Sequence, residues 1–249
     1  ENQLQLGGGF NLISGVRGEW TRLELNNIDG DETTSDDETF TTEEARLGFV
    51  WQANPALSVF GQVSTGSQFA FTPQLVTSES FDTDLLLSTG FEGGVRGQTA
   101  DGTWQWQLTA FDIEKRNRLV SDPSPEDPDR ERQVGRQTSQ GLEVSAYVEP
   151  VERLSLEANG TVLDAEFEDD ERFGGNTPSN VPEQLANLWA TSIVTERILA
   201  RAHVRYVGEA EGNNDNTLEI PSYTLLNVSA SYAVDDNWDL TARARNVTD

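Results

Sequence analysis

Cysteine and methionine are absent from the 249 residues, and histidine and lysine occur once each, as His203 and Lys115. Without cysteine there is no disulfide framework, no thiolate zinc site and no cysteine nucleophile. One histidine excludes a multi-histidine metal centre and makes any Ser-His-Asp hydrolase depend on His203 alone. Long apolar runs are also missing, since none approaches the roughly 18–20 residues a membrane helix needs. The opening Glu1-Asn2-Gln3-Leu4-Gln5-Leu6 lacks the basic segment and apolar core of a secretion signal. Hydropathy alone therefore reads as soluble, with one class exempt, because membrane β-barrels alternate apolar and polar residues. Positive charge is scarce: 17 Lys+Arg face 43 Asp+Glu, a formal net charge of −26. Nucleic acid is excluded as a partner, because its phosphates need a basic footprint.

What the chain does have is alternation of period two along most of its length, with little helical periodicity. Ile198, Ala200, Ala202, Val204 and Tyr206 point one way; Leu199, Arg201, His203 and Arg205 point the other. Trp238–Arg245 repeats the pattern, and Leu142–Val148 and Leu154–Val162 do the same. Leu47, Phe49 and Trp51 make a further apolar stripe, and Phe10, Leu12, Val16 and Trp20 a weaker one. Each is a β-strand with one apolar and one polar face.

Turn residues place short links at Gly7–Gly9, Ala53–Ala56, Thr99–Thr103, Glu149–Arg153, Thr195–Arg197 and Asp235–Asn237. Between them fall long polar links at about Asn26–Ala45, Gln68–Asp84, Leu119–Val134, Asp164–Glu183 and Gly208–Glu219. Short and long alternate strictly, as in an antiparallel meander with its tight turns at one end. About 11–12 strands result. The five long links hold 27 of the 43 acidic residues and three basic ones, Arg130, Arg132 and Arg172, so the acidity belongs to one end.

A soluble β-sandwich also alternates. Against it stand strands of about 10–14 residues, near the 9–11 that a tilted membrane strand needs. The asymmetric loops are those of outer-membrane barrels. Trp20, Trp51, Trp104, Trp189, Tyr206, Tyr223 and Trp238 sit near predicted strand ends, where aromatic girdles meet the lipid–water boundary.

Short motifs in order sharpen this reading. Asn11-Leu12-Ile13-Ser14-Gly15-Val16-Arg17 resembles a "GlRy" strand of TonB-dependent outer-membrane receptors, and Ala45–Trp51 resembles their "PRlG" strand. Leu57–Phe69 resembles "lyasys.gfr", and Phe91–Arg96 resembles "E.GvK". Ala110–Ile113 with Gln140–Glu143 resembles "aaFdi" and "rGvEle". Asp164-Ala165, Asn180-Val181-Pro182 and Arg245–Asp249 resemble "lda", "vP" and "vNlfD". The resemblance spans residues 1–249 and is to the C-terminal half of a siderophore-receptor barrel.

That resemblance implies an all-β, antiparallel up-and-down transmembrane barrel segment of a 22-stranded barrel, in the outer membrane of a Gram-negative-type bacterium. It implies no enzymatic activity. It implies instead import of a scarce ligand, chiefly an iron–siderophore complex. The implied partners are outer-membrane lipid, a lumen-filling plug domain and an inner-membrane energy-coupling complex. The chain has no plug-like stretch or energy-coupling box, and stops at Asp249 where the family has one further strand, so the expectation is a partial barrel. A passive channel of about twelve strands and a soluble sandwich module are the alternatives.

The polar face carries Arg17, Glu19, Gln105, Gln107, Glu143, Glu157, Arg201, His203, Arg205, Arg243 and Arg245, as any hydrated lumen would. A sharper reading has Arg201, Arg205 and Arg243 face an anionic ligand or the plug through planar, bidentate guanidiniums. Arg17 and His203 are further candidates for ligand contact, and Phe69 and Phe71 of the Gln68–Asp84 link either meet a flat ligand or pack into the barrel mouth. The acidic run Asp29–Glu38 invites calcium but does not match the EF-hand spacing, and reads as a solvated loop, with weak divalent-cation binding near the anionic outer leaflet as the alternative. No catalytic, metal or cofactor arrangement emerges, and Gly7-Gly8-Gly9 is a turn without the strand–helix setting of a phosphate loop.

Overall fold

The computed structural model describes residues 2–29, 32–69, 84–122, 124–125 and 131–248, with backbone alone for 25–29 and 32–36. Twelve strands form one antiparallel sheet in which sequence neighbours are spatial neighbours. They are β1 (Asn2–Gly7), β2 (Phe10–Asp29), β3 (Glu32–Asn54), β4 (Leu57–Gln68), β5 (Leu86–Gln98) and β6 (Trp104–Ser121). There follow β7 (Glu131–Val151), β8 (Leu154–Phe167), β9 (Gln184–Thr195) and β10 (Ile198–Val207). After a two-rung hairpin of β11 (Ala210–Glu211) and β12 (Glu219–Ile220) come β13 (Tyr223–Asp235) and β14 (Trp238–Ala244). The terminal strands β1 and β14 each pair on one side only. The described strands are thus a curved wall, not a closed barrel, and a self-contained twelve-stranded channel does not form. Nor do two sheets pack face to face, which excludes the sandwich.

Cross-strand register puts the expected stripes on a common face. Leu47 lies opposite Ser14 and Val63, and Leu108 opposite Val95 and Val144. Leu188 lies opposite Ala158 and Val204, and Ala230 opposite Ala200 and Ala242. Val16, Leu108, Val144, Val162 and Leu240 are exposed there, a continuous apolar surface that in water would be an aggregation liability and in lipid is a solvated one. Trp51, Trp104 and Trp238 flank the short turns on this face. Two of the seven girdle assignments are corrected. Trp189 is mid-strand in β9, opposite His203 on the polar face, and Tyr223 pairs with Val207 on that same face.

All six short links fall where expected. The link at Gly7–Gly9 runs through three left-handed residues (φ 82°, 59° and 79°), which glycine adopts without strain. The long links need correction. Asn26–Ala45 is not a loop: β2 and β3 stay in register from Phe10↔Trp51 to Asp29↔Glu32. The two strands run 20 and 23 residues, well beyond the 10–14 expected. Polar residues that alternate on a two-stranded ribbon satisfy its ladder as well as apolar ones do, so polarity alone misread them. Likewise β6 runs on to Ser121, β7 begins at Glu131 and β8 ends at Phe167, which shortens the next two links.

Candidate functional site

The polar face forms rows across the strands. One reads Ser155, Thr191, Arg201, Ser229, Arg243 from β8 to β14. The next reads Glu157, Trp189, His203, Asn227, and the one after it Asn159, Asn187, Arg205, Leu225. The amides between the last two rows bond across strands. Asn187 Nδ2 donates to Asn159 Oδ1 (3.0 Å), and His203 Nε2 lies 3.2 Å from Asn187 Oδ1. Because that oxygen accepts, Nε2 carries the proton, which leaves Nδ1 to accept from Asn227 Nδ2 at 3.5 Å. The Trp189 indole lies flat on the His203 ring, 4.6 Å between centroids and 1° apart in plane. The imidazole is therefore fixed on both ring nitrogens and one face.

Of the candidate site residues, Arg201, His203 and Arg243 line one cavity of about 290 Å³ together with Arg245, Trp189 and Asn227. Arg205 sits on the same strand, opposite Asn187 and Leu225, outside that cavity. Arg17 is remote, on β2, paired with Glu19 (2.7 Å) and Glu44 (3.8 Å). Phe69 stacks on the buried Phe40 of β3, ring centroids 5.9 Å apart, so it anchors the base of its link instead of presenting a free ring. Phe71 lies outside the described residues. The Asp29–Glu38 run is hairpin backbone except at 30–31, which lie outside the described residues. Among the described residues no cluster of three or more His, Asp or Glu is placed to hold a metal ion.

Sequence reasoning missed the organised end opposite the short turns. Three links there are lashed together by two of the three basic residues it counted. Arg132 binds Asp170 through two hydrogen bonds of 2.6 Å and donates to Asp122 at 3.1 Å. Arg172 binds Asp122 and reaches Asp215 with two nitrogens, at 3.2 and 3.0 Å. Both guanidiniums lie over the Phe173 ring, 4.9 and 5.0 Å from its centroid. Phe173 packs with Phe167, Val134 and Val120 into a buried cluster. Asn214 completes the join: its Nδ2 donates to the Ser121 carbonyl, its Oδ1 accepts from Ser179 N, and its carbonyl accepts from Asn176. The Asp170 carboxyl is held down to about 2, chiefly by the Arg132 hydrogen bonds, with the Phe173 and Arg172 amides adding to it.

With this geometry in hand, comparison with known proteins is informative. A family model described as TonB dependent receptor-like, beta-barrel matches residues 1–247. The metal-pseudopaline receptor CntO of Pseudomonas aeruginosa is 29% identical over 100% of this chain and 36% of its own length. The ferrioxamine receptor of Yersinia enterocolitica is 27% identical over 86% of this chain and 29% of its own. The chain thus spans about a third of the length of these relatives. The crystal structure of the siderophore receptor PiuA from Acinetobacter baumannii superposes with a TM-score of 0.81 at 22% identity, covering 99% of this chain and 38% of that one. The apolar face, the polar face, the asymmetric links and the family match agree: the chain belongs to the TonB-dependent receptors, outer-membrane β-barrel proteins of Gram-negative bacteria, and forms part of the barrel wall.

Proposed function

We propose that the protein containing this wall is an active-transport receptor that imports a scarce metal complex, an iron–siderophore or a related metal chelate. In this reading the polar face lines the lumen, the interlocked links face the outside, and an inner-membrane energy-coupling complex supplies the work. A plug domain, carried outside these 249 residues, fills the space the wall curves around. Arg201, His203, Arg205 and Arg243 then lie along the ligand's path or against the plug, with Arg17 and Phe69 on the distant side.

The observation that carries the reading is the two-faced twelve-stranded wall. One side is apolar enough for lipid, while the other is lined by arginine, asparagine and histidine that lipid would not solvate. The names of the relatives, receptors for metal-pseudopaline and ferrioxamine, support the cargo class. The iron–siderophore form is favoured because several of the similar proteins are named for it.

The test is uptake by cells that express the full-length protein as their sole receptor of this kind. Iron-55 supplied as ferrioxamine, and nickel-63 supplied with a carboxylate metallophore, are the probes. Saturable uptake abolished by a protonophore is expected for at least one. Uptake that rises linearly with concentration and ignores the protonophore would identify a passive pore and overturn the reading.

A further inference from the structure

The acidic character of the chain reverses locally. The strands β9, β10, β13 and β14 contain only two acidic residues, Asp235 and Asp239, both beside the β13–β14 turn. On their polar face stand Arg201, Arg205 and Arg243, and Arg245 follows directly. None of these four arginines forms an ion pair or side-chain hydrogen bond with another described residue, whereas Arg17, Arg22, Arg116, Arg132, Arg136 and Arg172 all pair with carboxylates. In a chain with 43 acidic residues, unpaired cations side by side mark a place reserved for an anion from elsewhere.

The register gives that place a shape. Arg201 is opposite Ser229, and Ser229 is opposite Arg243, so a small hydroxyl residue separates two arginines on one row. Adjacent strands lie about 4.8 Å apart, which sets the two arginine backbones at roughly 10 Å. Two guanidiniums leaning over a serine span a carboxylate, each offering a planar fork of donors. On the far side of Arg201 the row continues with Thr191, a second hydroxyl. His203 and Asn227 form the adjoining wall, held by the amide chain described above, and Arg245 also lines the cavity.

We propose that Arg201 and Arg243, with Ser229 between them, form a carboxylate-binding notch on the lumen wall. The inference rests on the lumen assignment made under the proposed function and narrows its ligand chemistry to carboxylate groups. Two sources present that chemistry: a free carboxylate-bearing metal chelate, and an Asp or Glu side chain from another part of the same protein.

The experiment uses the purified full-length receptor in detergent, with citrate as the probe in titration calorimetry. Citrate binding that weakens about tenfold or more in the Arg201→Gln/Arg243→Gln double variant assigns the notch to a free carboxylate. A Ser229→Tyr variant, which fills the notch but keeps both charges, is expected to lose binding equally. Heat-modifiable gel mobility reports whether each variant is folded. If the wild type does not bind citrate, an Arg201→Lys variant treated with a carbodiimide separates the second source. An amide cross-link from residue 201 to an acidic residue elsewhere in the protein, found by mass spectrometry, assigns the notch to an internal carboxylate. Citrate affinity indifferent to all these substitutions, or neither binding nor cross-link, overturns the proposal. These readouts are made on purified protein, so they stand or fall separately from the uptake assay.

Discussion

The guanidinium of Arg132 grips the carboxylate of Asp170 with two 2.6 Å hydrogen bonds, and this pair ties the start of β7 to the link after β8. Its pH response follows from the lowered pKa of Asp170, about 2 against an ordinary 3.8. A carboxyl whose folded value lies below its unfolded one contributes stability that is complete above the unfolded value. That contribution fades as pH falls from about 4 towards 2. It is on the order of 2 kcal/mol. Protection factors of the amides in residues 168–176, taken against the intrinsic exchange rate at each pH, are therefore expected to stay high at pH 5 and to fall below pH 4, while an Asp170→Asn variant shows little of this dependence.

Phe173 is the apolar centre of the same junction, buried beneath two guanidiniums and against Phe167 and Val134. A Phe173→Ala substitution leaves a cavity and is expected to cost roughly 3–5 kcal/mol of local stability. The consequence is confined to the three joined links, because the barrel ladder does not pass through Phe173. Limited proteolysis should cut within 168–183 and 208–222 at least tenfold faster, with the strands still protected.

Adjacent residues on one strand test the assignment of faces. Val144 points to the apolar side and Ser145 to the polar one. Val144→Arg puts a charge into lipid and is expected to destabilise the receptor by about 2–4 kcal/mol in bilayers, whereas Ser145→Arg stays within about 1 kcal/mol. Reversible denaturant unfolding in vesicles reads the difference, and equal costs would contradict the lipid-facing assignment.

Gly97 and Trp106 are cross-strand neighbours near the short-turn end, and a Cβ on Gly97 would lie 2.6 Å from the indole ring. The ring covers the bare glycine, an arrangement that joins the two strands without a pair of side chains. Gly97→Ala is expected to displace Trp106 and cost about 1–3 kcal/mol. A shift in tryptophan emission, removed in a Trp106→Phe background, checks it.

Much of the wall was legible because a sheet with one lipid face and one wet face imposes period two with few exceptions. Ile198–Tyr206 and Leu142–Val148 could be read directly, and so could every short turn. The errors have physical causes. The β2–β3 hairpin was hidden because a polar ribbon that runs beyond the lipid has no apolar surroundings to impose alternation in hydropathy. Val120 and Val134 fall within the expected polar link Leu119–Val134, which reads as loop and not as part of a core. At Asn117 the backbone turns left-handed (φ 57°) and the ladder skips a rung, and beyond it both valines pack inward with Phe167. Nothing in a single sequence announces that turn. The junction around Phe173 was missed because its partners come from three separate links, and pairing between distant charges has no local signature. The candidate site was half legible: Arg201, His203 and Arg243 were placed on one face by alternation, but only the register shows that Ser229 separates the two arginines.

The length of the β2–β3 hairpin has its own consequence. At about 3.3 Å per residue, twenty residues reach roughly twice the thickness of the hydrocarbon layer. Outward of Ala45 the β3–β4 ladder ends, so among the described residues the upper part of β3 pairs with β2 alone and has a bare edge. A bare edge is a template for a neighbouring molecule's strand. Residues 21–40 answer with seven acidic side chains against one arginine. Like charge at this density opposes pairing between one such edge and another copy of it.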